Sequence, residues 1–209
     1  MPDPATLIAF VVVVLGAFFI PGPAVLLVLT RAAQGGRKIG VMTGLGIAAG
    51  DFVHTMFAAV GLSAVLMTSA LAFNLVKLAG AGYLIYLGVR AILAKPRSDS
   101  SLPKVPQVSS SKAFFQAIVV EVLNPKTALF FLAFLPQFVR PDRGSPFVQF
   151  AVLGLIFVVM SLVYTILLAW SIKPLGHLFK RLSWLERWQG KITGAIFISL
   201  GLKVALQEQ

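Results

Sequence analysis

The stretch Phe19-Ile20-Pro21-Gly22-Pro23-Ala24 interrupts an apolar run, with Leu7-Ile8-Ala9-Phe10-Val11-Val12-Val13-Val14-Leu15 before it and Val25-Leu26-Leu27-Val28-Leu29 after it. Neither flank alone reaches the about 20 apolar residues that a helix needs to cross a bilayer, but together they do. The break therefore falls at membrane depth. Two prolines around a glycine remove two amide donors and force the helix open. Carbonyls freed in hydrocarbon cost several kcal/mol each unless protein or a wet cavity satisfies them. Such a break lines a pathway, or else it is a proline kink in a structural helix; this stretch alone is compatible with both.

Hydrophobic residues make up 58% of the 209, more than the roughly half of soluble globular chains. Apolar runs recur along the chain, and Met1-Pro2-Asp3-Pro4 lacks the basic start of a signal peptide. The absence of cysteine excludes disulfides, thiolate metal sites and thiol nucleophiles. A net charge of +11 raises the question of nucleic acid. The basic residues lie between apolar spans, however, which points to membrane topology instead.

Hydropathy predicts six spans, at 4–29, 39–67, 70–93, 113–138, 147–172 and 191–206. The Ser/Pro/Lys-rich segment 95–112 reads as a cytoplasmic linker between a first three-helix half, 1–94, and a second, 113–209. Residues 175–189 carry Leu178, Phe179, Leu182, Trp184, Leu185 and Trp188 among basic residues, which reads as an interfacial amphipathic segment. Arg31, Arg37 and Lys38, the basic residues from Arg90 to Lys112, and those from Lys173 to Lys191 fall on one side, against Arg140, Arg143 and Lys203 on the other. The positive-inside rule then puts the N-terminus outside.

The halves repeat. Lys77-Leu78-Ala79-Gly80-Ala81 with Leu87-Gly88 matches Lys191-Ile192-Thr193-Gly194-Ala195 with Leu200-Gly201, and the break at Pro21-Gly22-Pro23 is echoed by Asn124-Pro125-Lys126. Three crossings per half, an odd number, require the halves to be inverted. Paired interrupted helices in inverted repeats point to a transport site near the bilayer midplane.

Ionisable groups inside a span cost about 2.5–3.5 kcal/mol and ask for a reason. Asp51 stands in Gly50-Asp51-Phe52-Val53, with His54 and Thr55 on the same helix face. Its carboxylate can bind a substrate ammonium or a proton, or form an ion pair with Lys126. Lys126, with Asn124 and the amides at both breaks, suits a substrate carboxylate; alternatively it only neutralises Asp51 or Glu121. Glu121 and His54 are further candidates for proton coupling, with a solvated or structural role as the alternative. Lys77 can snorkel from the span end. Tyr83, Tyr86 and Tyr164 read as packing or belt residues, and Gly40, Gly44 and Gly50 as sites of close helix approach. No catalytic motif, P-loop or metal-ligand cluster occurs, so an enzyme, a bound cofactor and ATP-driven transport by this chain are not expected.

Pro21-Gly22-Pro23, Gly44-x-Gly46-x3-Gly50-Asp51, Lys77-x2-Gly80-Ala81-x-Tyr83-Leu84-x2-Leu87-Gly88 and Asn124-Pro125-Lys126-x3-Phe130 with Pro136-Gln137-Phe138 together resemble the LysE/RhtB family of amino-acid exporters. The resemblance implies a multi-pass protein of a bacterial-type cytoplasmic membrane that exports amino acids by proton antiport. The expectation is thus an all-α membrane protein of six transmembrane helices in two inverted three-helix repeats, with helices one and four broken by proline motifs. Pro21, Gly22, Pro23, Asp51, Asn124, Pro125 and Lys126 would bind a neutral or zwitterionic amino acid. Asp51, Glu121 and His54 would couple to a proton. The partners expected are the amino acid, the proton, the lipid bilayer and a second copy in a homodimer, with no nucleic acid. An ion or metal-ion exporter of related architecture is the rival.

Overall fold

The computed structural model describes residues 2–18, 22–93, 106–179 and, in the last segment, 191, 194–195, 198–199 and 201–202; the described residues are helical and include no strand. Helix α1 (Pro4–Phe18) starts where Asp3 Oδ1 accepts the Thr6 amide at 2.9 Å. Pro4 occupies the first helical position, where a missing N–H leaves nothing unpaired. The helix stops at Phe18, ahead of the proline motif; Pro21 lies outside the described residues.

Helix α2 (Pro23–Phe57) resumes from the Gly22 cap with Pro23 at its first position. It is not a single rod. Gly36, at φ 82° and ψ 174°, leaves the helical region for a backbone that glycine adopts without steric penalty. Ala32 packs on Gly40, and Val28 shares a buried cluster with Ile47, so the chain folds back at Gly36. The basic loop expected after the first span is this turn. A wide π turn (Ala58–Leu62) leads into α3 (Ser63–Thr68) and then α4 (Ala70–Leu93).

Helix α5 (Ser110–Val122) and helix α6 (Pro125–Phe134) cover most of the stretch 113–138 read as the fourth span. With its continuation to Phe138, α6 is bent by 49° from α5 at Leu123-Asn124. Helix α7 (Pro146–Phe179) runs past Ile172 through the start of the segment expected to be interfacial; Trp184 and Trp188 lie outside the described residues.

Small residues bring the helices together. Gly44 lies on Thr165 of α7, Gly46 on the Phe114 carbonyl of α5, Gly50 on Glu121 of α5, and Gly80 of α4 on Ala133 of α6. Gly88 meets Gly194 and Ala81 meets Gly201, so the last segment runs antiparallel to α4. Two buried clusters result. One joins Phe10, Val14, Phe130, Phe134, Phe150 and Phe157; the other joins Val28, Ala32, Ile47, Ala117 and Ala169.

The exterior is apolar in stripes at helical spacing: Ile8, Val12 and Leu15; Leu71, Leu75 and Leu78; Leu155, Val159, Val163 and Leu167. Water would not tolerate such stripes on helix after helix, whereas lipid accommodates them. Pro146–Ser171, and an apolar stretch within Pro23–Thr68, are long and apolar enough to cross a membrane, and α5 with α6 reaches the same length and composition as a bent pair. This is a membrane protein. At one end Arg143 pairs with Asp3. At the other, Arg31 donates to the Pro106 carbonyl and, at 2.9 Å, to Gln116 Oε1.

Candidate functional site

Between the two clusters lies a cavity of about 60 Å³ where both helix breaks converge, room for roughly four to six waters. Gly22 comes from the first break and Asn124 and Lys126 from the second; Asp51 and Glu121 also line it. The breaks touch directly, since a Cβ placed on Gly22 would lie 3.3 Å from Lys126 Cδ and 3.7 Å from its Nζ.

A broken helix exposes carbonyls at one end and amides at the next. Among the described residues, three carbonyls near the breaks meet polar side chains. Lys126 Nζ donates to Ala17 O at 3.3 Å and the Tyr164 hydroxyl to Phe18 O at 2.9 Å, both at the end of α1. His54 Nε2 lies 3.0 Å from Glu121 O in the last turn of α5. The ammonium of Lys126 thus sits at the negative pole of the α1 dipole. On the amide side, Asn124 caps α6 by accepting the Lys126 N–H at 3.1 Å, whereas α2 has no side-chain cap. Ala24 and Val25, in the uncapped first turn of α2, line the cavity.

Two carboxyl groups share the site. Glu121 is 2% exposed and Asp51 1%. Asn124 Nδ2 reaches both carboxyl oxygens of Glu121, at 3.3 and 3.2 Å, and Thr127 Oγ1 donates to one of them. Asp51 lines the same cavity as Glu121 and Ser161, and the adjacent Gly50 packs on the Glu121 side chain. The Oδ2 of Asp51 is buried and has no hydrogen-bond partner among the described residues. Asp51 shares its cavity with both Glu121 and Lys126. Glu121 is buried where the Gly50 contact draws α5 tight against α2.

Of the other candidates, Pro23 and Pro125 set their helix starts and do not line the cavity, and His54 stacks on Phe131 behind the Glu121 carbonyl. The side chain of Lys77 lies outside the described residues. Tyr83 and Tyr164, expected to be packing or belt residues, line the cavity, as do Thr127, Ser161, Thr165, Phe130 and Phe157. Thr127 stood three residues after the Asn124 cap, a spacing at which a side chain turns back on the cap. Ser161 and Thr165 carried only their i, i+4 spacing in an apolar helix.

The LysE type translocator family model matches residues 14–208. The chain is 34% identical over 199 residues to an uncharacterised membrane protein of Pseudomonas aeruginosa, covering 92% of each chain. It is 31% identical to the membrane protein YrhP of Bacillus subtilis, over 96% of this chain and 99% of that one. It is 28% identical to the leucine efflux protein of Salmonella typhimurium, over 91% of each. No solved structure matches it. With two broken helices meeting at a buried, charged cavity and a family match over nearly its whole length, the chain belongs to the LysE type translocators.

Proposed function

We propose that this protein exports amino acids with an apolar side chain across the cytoplasmic membrane, in exchange for protons. One observation carries the reading: a single cavity at the meeting of two helix breaks holds two carboxyl groups, one ammonium and a wall of aromatic rings. A zwitterion needs both signs of charge. Asp51 receives the substrate ammonium. Lys126, with the uncapped first turn of α2, receives the carboxylate. Phe130, Phe157 and Tyr83 offer the side chain an apolar surface, which suits leucine, the amino acid named for the Salmonella relative. Asp51 takes the proton when the substrate has gone, so one carboxylate serves both ligands in turn.

The chain crosses six times as two inverted three-helix halves, 1–94 and 113–209, joined on the cytoplasmic side, with the N-terminus outside. The antiparallel contact of α4 with the last segment supports the inversion, and the distribution of Lys and Arg supports the orientation. Alternation of access by rocking one half on the other is the expected motion.

The test is efflux from proteoliposomes loaded with a mixed pool of amino acids under an imposed pH gradient, with wild type and Asp51→Asn side by side. Gradient-driven efflux of apolar amino acids, lost in the variant, supports the reading. Failure of folded wild-type protein to move any amino acid overturns it.

A further inference from the structure

Resting on that reading, we infer that Asp51 and Glu121 form a one-proton pair with divided roles. Glu121 is the fixed charge, and Asp51 is the carboxyl that trades its proton for the substrate ammonium.

The two groups differ in how they are held. Glu121 is locked from its own side of the break: Asn124 reaches both of its oxygens, Thr127 donates to one, and its Cβ packs on Gly50. Donors aimed at a carboxyl favour its charged form. Asp51 shares the cavity with Ser161 and Glu121 but is not held in this way, and its Oδ2 is a buried acceptor in want of a donor. A proton, or the N–H of an ammonium, supplies that donor. The other groups facing the pair are Lys126 from α6, Tyr164 and Thr165 from α7, Tyr83 from α4 and, behind Glu121, His54 of α2. None of these brings a second carboxylate.

The charges balance. Empty and protonated, the site holds neutral Asp51, anionic Glu121 and cationic Lys126, a net charge of zero. Loaded with a zwitterion, it holds two carboxylates, Lys126 and a substrate of no net charge, for a net of minus one. The loaded site moves outward and the protonated site returns, so each cycle carries one proton and one positive charge inward. Glu121 makes this coupling strict, because its fixed charge holds the proton on Asp51 until an ammonium displaces it.

The experiment measures leucine efflux from proteoliposomes as a function of external pH, with a pH-sensitive dye and a voltage clamp of the vesicles by potassium and valinomycin. Wild type is expected to move one proton and one charge per leucine. Two protons, or an electroneutral exchange, overturns the inference without any variant. In Glu121→Gln the pH profile of efflux is expected to move toward acid by at least about one unit, and Glu121→Asp is expected to restore the wild-type position. A structural role for Glu121 would lower efflux in both variants and leave the profile in place, which overturns the inference. Absence of leucine efflux from wild type instead defeats the functional reading beneath it.

Discussion

Gly22 and Lys126, 104 positions apart in the chain, touch: the space for a Cβ on Gly22 ends 3.3 Å from Lys126 Cδ. The first break can approach the second because a glycine stands at its centre. The cavity exists at that approach.

A side chain at position 22 would push on Lys126. Gly22 has φ −101° and ψ −177°, an extended backbone open to any residue, so the effect is steric and not conformational. Gly22→Ala should leave most efflux intact, because the flexible Lys126 stem can give by a few tenths of an ångström. Gly22→Leu should lower efflux by about tenfold or more, equivalent to about 1.4 kcal/mol at the barrier. Equal rates for both variants in proteoliposomes would remove Gly22 from the pathway.

Lys126 is expected to hold the substrate carboxylate, so Lys126→Met should raise the leucine KM about tenfold or more. Lys126→Arg should recover part of the loss, since it keeps the charge but spreads it over a planar fork. Loss of efflux at every leucine concentration, with KM unmoved, would show that the ammonium serves only the α1 terminus.

Tyr164→Phe removes the hydroxyl that donates to Phe18 O. A buried carbonyl left without its donor costs about 1–3 kcal/mol, and each kcal/mol is about 2–4 °C in a chain of this size. The variant should melt several degrees lower in detergent. An unchanged midpoint would mean that water replaces the hydroxyl.

Two glycines on α4 make an internal control. A Cβ on Gly80 would fall 2.3 Å from the Ala133 Cα, a backbone atom that cannot step aside, whereas one on Gly82 meets nothing within 4 Å. Gly80→Ala should destabilise by about 1–3 kcal/mol through overpacking. Gly82→Ala should stabilise by up to about 1 kcal/mol through helix propensity. Thermal melts that fail to order the pair this way would break the packing assigned to α4 and α6.

The Asp3 carboxylate is held below its ordinary value of 3.8, first by the Thr6 amide and further by Arg143. A carboxyl lowered on folding stabilises above its unfolded value, and that contribution is lost as pH falls through the folded one. Wild type should therefore melt slightly above Asp3→Asn at neutral pH, and the two curves should close up as pH falls from about 4 and meet below the lowered folded value. A gap that persists there would assign the effect to something other than ionisation.

The two breaks were legible because proline writes them into the chain at any depth. Asp51 was legible because a carboxyl amid Ile47-Ala48-Ala49-Gly50 has no local reason to be there. Glu121 was found as a candidate, but its burial against Gly50 was not legible, since hydropathy ranks depth along a span and cannot register which helix packs on which. Tyr164 was read as packing because an aromatic in an apolar helix carries the same local signal whether it faces lipid, core or cavity. The reversal at Gly36 passed for an ordinary loop, as a single positive φ leaves no trace in composition.

By itself the sequence determined the membrane class, the paired breaks and the kinds of charged group available at depth, because hydrophobic burial and the loss of amide donors are properties of local composition. Only the tertiary structure decided which of those groups meet. Asp51 and Glu121 share one cavity, Lys126 faces the carbonyl at the end of α1, and Ser161 and Tyr164 join them from α7. Those pairings depend on how closely Gly22, Gly44 and Gly50 let separate helices approach. Close approach is a property of two surfaces at once, and no single stretch of chain contains both.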